Sequence, residues 1–151
     1  MKLRVLLVED DHIQRANARQ AIESAFDAEV ETKSTESEFQ RDFEAIASNP
    51  PHIAVLDIML RWANPVLDMQ PAPSEVTSQP QHAGLRCASL LKDPRTSAVK
   101  VILYSVLSSD DLGVRPPEGA DWIIKDLDFQ NLIESIRAIV NGGGLRLVPP
   151  P

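Results

Sequence analysis

Apolar residues recur along this chain in two alternating rhythms. Leu3 to Val8 is almost continuous leucine and valine, a run that suits a strand covered on both faces. It breaks at Glu9-Asp10-Asp11, and from Ile13 the apolar positions adopt helical spacing through Ala16, Ile22 and Phe26. Asp11, with Gln14 three residues later, has the form of a capping box. The unit therefore reads strand, acidic turn, helix. Residues 29 to 33 give a weak second strand, and Thr35-Glu36-Ser37-Glu38 opens a helix with a stripe of Phe39, Phe43 and Ile46. Pro50-Pro51 stops that helix. His52 to Leu56 is a third strand, apolar on both faces.

From Arg61 to His82 the periodicity disappears, and Pro65, Pro71, Pro73 and Pro80 punctuate Ser, Gln and Glu. That composition predicts an unusually long loop. A helix resumes at Gly84, with Leu85, Ala88 and Leu91 facing inward until Asp93-Pro94. Val99 to Tyr104 is the fourth strand. Ser108-Ser109-Asp110-Asp111 starts a helix that Pro116-Pro117 limits to about two turns. Ala120 to Ile124 is the fifth strand, and Phe129, Leu132, Ile133, Ile136 and Val140 mark a well-spaced amphipathic helix that ends at Asn141-Gly142-Gly143-Gly144. Residues 142–151, a Gly/Pro tail, are expected to be mobile. Five strands alternating with helices predict a doubly wound α/β fold, because parallel strands need helical crossovers.

Composition narrows the function classes. A chain of 151 residues is one domain's worth of core. The net charge of −7, with no cluster of Lys or Arg, argues against direct nucleic-acid binding. No apolar run is long enough to span a bilayer, and Met1-Lys2-Leu3-Arg4 runs straight into a strand pattern with no leader signature. A cytoplasmic address without membrane association is the expectation. Cys87 is the single cysteine, which fits a reducing compartment. His12, His52 and His82 show no metal spacing.

The candidate chemistry sits at strand ends. In doubly wound sheets, ligands gather outside the carboxyl ends of the strands. There the chain offers Glu9 and Asp10 after the first strand, Asp57 after the third, Ser105 after the fourth and Lys125 after the fifth. Each has an ordinary alternative: a carboxylate after a strand is usually a cap, as Asp11 is expected to be. Ser105 or Lys125 alone would be an unremarked hydroxyl or edge charge. Five residues of these types at four strand ends are harder to dismiss. Three acids ~5 Å apart at an effective dielectric near 20 repel by about 3 kcal/mol per pair, so they call for a cation.

LLVEDD, VLDIML, VILYSV and DWIIKD, in this order, resemble the receiver domain of two-component response regulators over roughly residues 3 to 140. The resemblance implies a flavodoxin-like five-stranded parallel sheet of order 2-1-3-4-5 with helices on both faces, and a receiver domain over 1–141. It also implies that Asp57 accepts a phosphoryl group with Mg²⁺ as cofactor. Asp10 and Asp57 would bind the metal directly, Glu9 through water and Met59 through its backbone carbonyl. Lys125 and Ser105 would contact phosphoryl oxygens, and Ser105 with Trp122 would act as the switch pair. The implied partners are a histidine kinase or histidine phosphotransfer protein, a downstream protein and, as a further candidate, a second copy of the chain. No output domain is expected after residue 141, giving a stand-alone regulator with no separate substrate turnover.

Two other readings compete. A degenerate receiver would serve as an interaction module without phosphorylation. An aspartyl phosphatase would want a second acid two residues after the nucleophile, where this chain has Met59. Three departures from the receiver pattern carry expectations of their own. Asp126 replaces the usual proline after the lysine and is expected to alter that loop and to compete for Lys125. Val106 replaces a small residue and is expected to prolong an acyl phosphate. The stretch 61 to 82 is expected to contact a kinase or a second copy, with Trp62 as its apolar anchor.

Overall fold

A computed structural model describes residues 2–65 and 71–142. Five parallel strands, β1 (Leu3–Val8), β2 (Ala28–Lys33), β3 (Ile53–Asp57), β4 (Lys100–Ser105) and β5 (Ala120–Ile124), form one sheet in the order β2-β1-β3-β4-β5. The predicted doubly wound sheet of order 2-1-3-4-5 is what forms. Alternation along each strand divides the core. Leu3, Val5, Leu7, Ile53, Val55, Ile102 and Tyr104 meet α1 (His12–Ala25) and α7 (Gln130–Asn141) on one face. Leu6, Val8, Ala54, Leu56 and Leu103 face the helices on the other. Those are α2 (Glu36–Arg41), α3 (Phe43–Ser48) and α5 (Ala83–Leu90).

Several local expectations need correction. In α1 the buried positions are Ala18 and Ile22, whereas Ala16 is exposed. Asp11 caps α1 by accepting from the amides of Ile13 and Gln14. The single helix expected after Thr35 is two short ones, broken at Asp42, whose carboxylate is held by Lys33 of β2 at 2.9 Å. The stretch 61–82 is not wholly loop: α4 (Ser74–Ser78) and a 3₁₀ turn (Pro80–His82) lie within it, and Val76 is buried. The helix expected near Ser108 is α6 (Ser109–Leu112), a single turn. Residues 66–70 of the long stretch and the tail from 143 onward lie outside the described residues. Among the described residues, no helix is long and apolar enough to cross a membrane.

His52 closes the base of the sheet by accepting the Arg4 amide on Nδ1 at 2.9 Å, which requires that nitrogen to be unprotonated. Burial, then the neighbouring Arg4, holds its pKa below the ordinary value. A histidine whose folded pKa is depressed stabilises the fold above its unfolded pKa, ~6.5, and loses that contribution as pH falls below it. Stability is therefore expected to decline from pH 7.5 toward 5 more steeply in the parent than in His52→Asn, which keeps an acceptor that does not titrate. Denaturant midpoints with parallel pH slopes in the two proteins would contradict this.

Candidate functional site

The register fixes the site before any side chain is considered. Val8 pairs with Leu56 and Asp57 with Tyr104, so the strand exits are level with one another at one rim. Glu9 and Asp57 continue the alternation that points Leu7 and Val55 toward α1, and Lys125 continues that of Ile123 on β5. Glycine completes the exit of β3. Gly84, in the first turn of α5, donates its amide to the Ile58 carbonyl at 2.9 Å, and a Cβ there would lie 2.4 Å from the Asp57 carbonyl oxygen.

Glu9, Asp10 and Asp57 each present a carboxylate oxygen, and these oxygens lie within 4.8 Å of one another. Lys125 reaches in from β5: its Nζ donates to Glu9 Oε1 at 2.7 Å and to Asp57 Oδ2 at 3.2 Å. The ring of Tyr104 lies 5.5 Å beneath that ammonium. Glu9 and Asp57 are nearly enclosed. Burial raises the Glu9 pKa to about 7, assisted by Asp57 and opposed by Lys125. Burial works against the Lys125 ammonium too, but Asp57 and Glu9 outweigh it and its pKa moves up. Lys125 thus serves the two enclosed acids at low dielectric, and with Asp10 beside them carboxylates outnumber cations at this rim. Hard carboxylate oxygens on a partly buried rim suit a small divalent cation such as Mg²⁺.

Ser105, Met59 and Trp122 come from the end of β4, the exit of β3 and the middle of β5. Ser105 is buried at the end of β4, where its Oγ accepts the Leu107 amide at 3.1 Å and its carbonyl accepts the Lys125 amide at 2.8 Å. Met59 is half exposed, and its amide donates to Asp57 Oδ1 at 3.3 Å. Trp122 lies on the opposite face of β5 from Lys125, half-buried, with Nε1 donating to the Leu107 carbonyl at 3.0 Å. The Ser105 and Trp122 side chains therefore grip the same residue, Leu107.

Asp126 does not compete for Lys125. Its Oδ2 accepts the Asn131 amide at 3.0 Å at the start of α7, and every peptide bond among the described residues is trans. Cys87 is buried and its thiol is pushed well up by that burial, so it offers no nucleophile. Arg61 escaped the sequence reading. Its backbone N–H donates to Asp10 Oδ2 at 3.0 Å, its Nε to the same oxygen at 3.4 Å and its Nη2 to the Asp10 carbonyl at 3.0 Å. Arg15, also missed, donates to the Glu9 carbonyl at 2.8 Å. Neither could be read from spacing, because an arginine beside a strand end looks like any solvated charge.

No protein-family model and no curated protein matches this sequence. Among solved structures, the chain is similar to a CheY-like response regulator receiver domain protein from Methanospirillum hungatei, at 22% identity and a TM-score of 0.66 over 94% of this chain and 96% of that one. It is also similar to response regulator TrrA from Thermotoga maritima, solved with Mg²⁺ and beryllofluoride, at 22% identity and a TM-score of 0.60 over 92% and 99%. A third neighbour is the Thermotoga maritima response regulator DrrB, an OmpR/PhoB homologue, at 17% identity and a TM-score of 0.59. There the match covers 94% of this chain but only about half, 54%, of DrrB. At these identities the likeness establishes the fold: this chain has the flavodoxin-like architecture of receiver domains.

Proposed function

We propose that this receiver-fold chain is a phosphorylation-dependent signalling switch whose acceptor is Asp57. The observation that carries the reading is the convergence of Glu9, Asp10, Asp57 and Lys125 on one rim, from three strand exits separated by up to 116 positions. Phosphoryl transfer to a carboxylate demands positioning and charge neutralisation more than covalent help, and this rim offers the first and, through Lys125, part of the second. An Asp57 oxygen would form the new bond to phosphorus as the donor's phosphorus–nitrogen or phosphorus–oxygen bond breaks, leaving an acyl phosphate. Lys125, already against Asp57, would meet a phosphoryl oxygen as a point charge. Ser105 uses its Oγ as an acceptor for Leu107 and keeps its own proton free to donate to another. Bound Mg²⁺, held by Asp10 and Asp57 directly, Glu9 through water and the Met59 carbonyl, would neutralise the remaining charge. A histidine kinase or phosphotransfer protein is the expected donor, and a protein partner the expected target.

Intact mass after incubation with Mg²⁺ and a small acyl phosphate tests this. One phosphoryl addition is expected in the parent and none in Asp57→Asn; no addition to either, or equal addition to both, would refute it. The second reading, an interaction module that is never phosphorylated, is favoured by one observation: Asp10 is already engaged by Arg61. The same measurement separates the two.

Val106 follows Ser105 at the rim with its side chain exposed. A β-branched side chain there should hinder water approaching the phosphoryl group. Val106→Ala is expected to lose its phosphoryl group several-fold faster, followed by mass against time; unchanged or slower loss would remove the idea.

A further inference from the structure

Arg61 belongs to neither the acid set nor the sheet, yet it touches the metal-binding rim and a helix at once. Toward the rim it places two donors on one Asp10 carboxylate oxygen and a third on the Asp10 carbonyl. Toward the helix, its carbonyl accepts the Glu36 amide at 2.9 Å, and the next carbonyl, that of Trp62, accepts the Ser37 amide at 2.7 Å. Those are the first two amides of α2, which have no partner within the helix. Resting on the proposed reading of the rim as a Mg²⁺ site, we infer that Arg61 is the resident counter-cation of Asp10, which the metal must displace, and that its displacement loosens the start of α2.

The argument is one of charge and shared atoms. A guanidinium and a divalent cation on the same carboxylate repel each other, and each removes lone pairs the other needs. Exposure of the Arg61 side chain gives it water to turn to, so its displacement is affordable, whereas Lys125 is held at 15% exposure by two acids. Arg61 is therefore the cation that yields. As the guanidinium leaves, residue 61 keeps a single backbone bond to Asp10 in place of three contacts, and its carbonyl and that of Trp62 are the partners of the first two amides of α2. Metal occupancy at the rim then reads out at Glu36 and Ser37, on the side of the sheet away from β5.

Isothermal titration with Mg²⁺ alone, on the full chain, tests the first half. Arg61→Gln, which keeps a donor but no charge, should bind Mg²⁺ about three- to tenfold more tightly than the parent, while Arg61→Lys should stay within about twofold. Equal or weaker binding by Arg61→Gln overturns the inference and leaves the phosphoacceptor reading standing, since that rests on the Asp57 mass change. No Mg²⁺ binding by any of the three proteins overturns the inference and the metal site together. Amide exchange tests the second half: Mg²⁺ should speed exchange at Glu36 and Ser37 in the parent and leave it unchanged in Arg61→Gln. Metal-insensitive exchange in the parent overturns the link to α2.

Discussion

Replacing Gly84 with alanine is expected to destabilise the protein by about 2 kcal/mol or more, against the sign that helix propensity gives. Gly84 lies in the first turn of α5, where alanine in place of glycine would ordinarily contribute ~0.5–1 kcal/mol of stability. Here the added carbon would meet the Asp57 carbonyl oxygen at 2.4 Å and the Ile58 Cα at 2.6 Å. Both are backbone atoms, so no side-chain rotation relieves the clash. Either α5 lifts off β3 and gives up the bond from the Gly84 amide to Ile58, or the peptide after Asp57 shifts and takes the carboxylate with it. Overpacking a well-filled core costs ~1–3 kcal/mol, and the lost hydrogen bond adds about 1 kcal/mol. Urea denaturation measures the net effect, and Mg²⁺ affinity should fall along with it. An alanine variant as stable as the parent would mean that helix and strand have slack that the geometry denies.

Arg86→Leu is expected to be the larger loss, about 3–5 kcal/mol. The Glu36 side chain is fully enclosed, and Arg86 grips it through two bonds, Nε to Oε2 at 2.7 Å and Nη2 to Oε1 at 2.9 Å. Removing one partner of a buried pair leaves a carboxyl with neither water nor counter-ion, which accounts for that magnitude. The same guanidinium also donates to the carbonyls of Gln79 at 2.7 Å and Glu75 at 3.3 Å, and so fastens α4 and the turn after it to α5. The double variant Glu36→Met, Arg86→Leu should recover most of the stability, because a buried pair replaced by apolar groups of similar volume is often neutral. A double variant no better than Arg86→Leu alone would show that the fastening of α4, not the uncompensated carboxyl, dominates the loss.

The layered sheet and its rim could be read from the residues because the signals are local. Continuous apolar runs such as Leu3–Val8 and Ile53–Asp57 mark strands buried on both faces, and strands in a doubly wound sheet carry their last residues to one edge whatever lies between them. Glu9, Asp10, Asp57, Ser105 and Lys125 needed nothing more. What escaped depends on partners about 50 positions away. Arg61 on Asp10 and Arg86 on Glu36 are separated by 51 and 50 positions, and neither arginine differs in pattern from a solvated charge. Adjacency alone makes Asp126 a competitor for Lys125. The amide of Asn131, brought round by the turn into α7, claimed it instead. The long stretch after residue 61 looked structureless because its proline-broken composition hides α4, whose one buried side chain, Val76, is too little for a periodic signal.

The single turn α6 has a consequence for timing. None of its four residues is buried. It closes its own ends with the reciprocal Ser108–Asp111 box and with Gly113 in the left-handed conformation. A turn held to the core by little more than its half-buried Leu112 rearranges within nanoseconds to microseconds, whereas strands of a central sheet open only on the far slower scale of unfolding. A molecule that lingers at the Asp57 rim for a millisecond would meet a rigid floor and one border that has sampled its alternatives on the order of a thousand times or more.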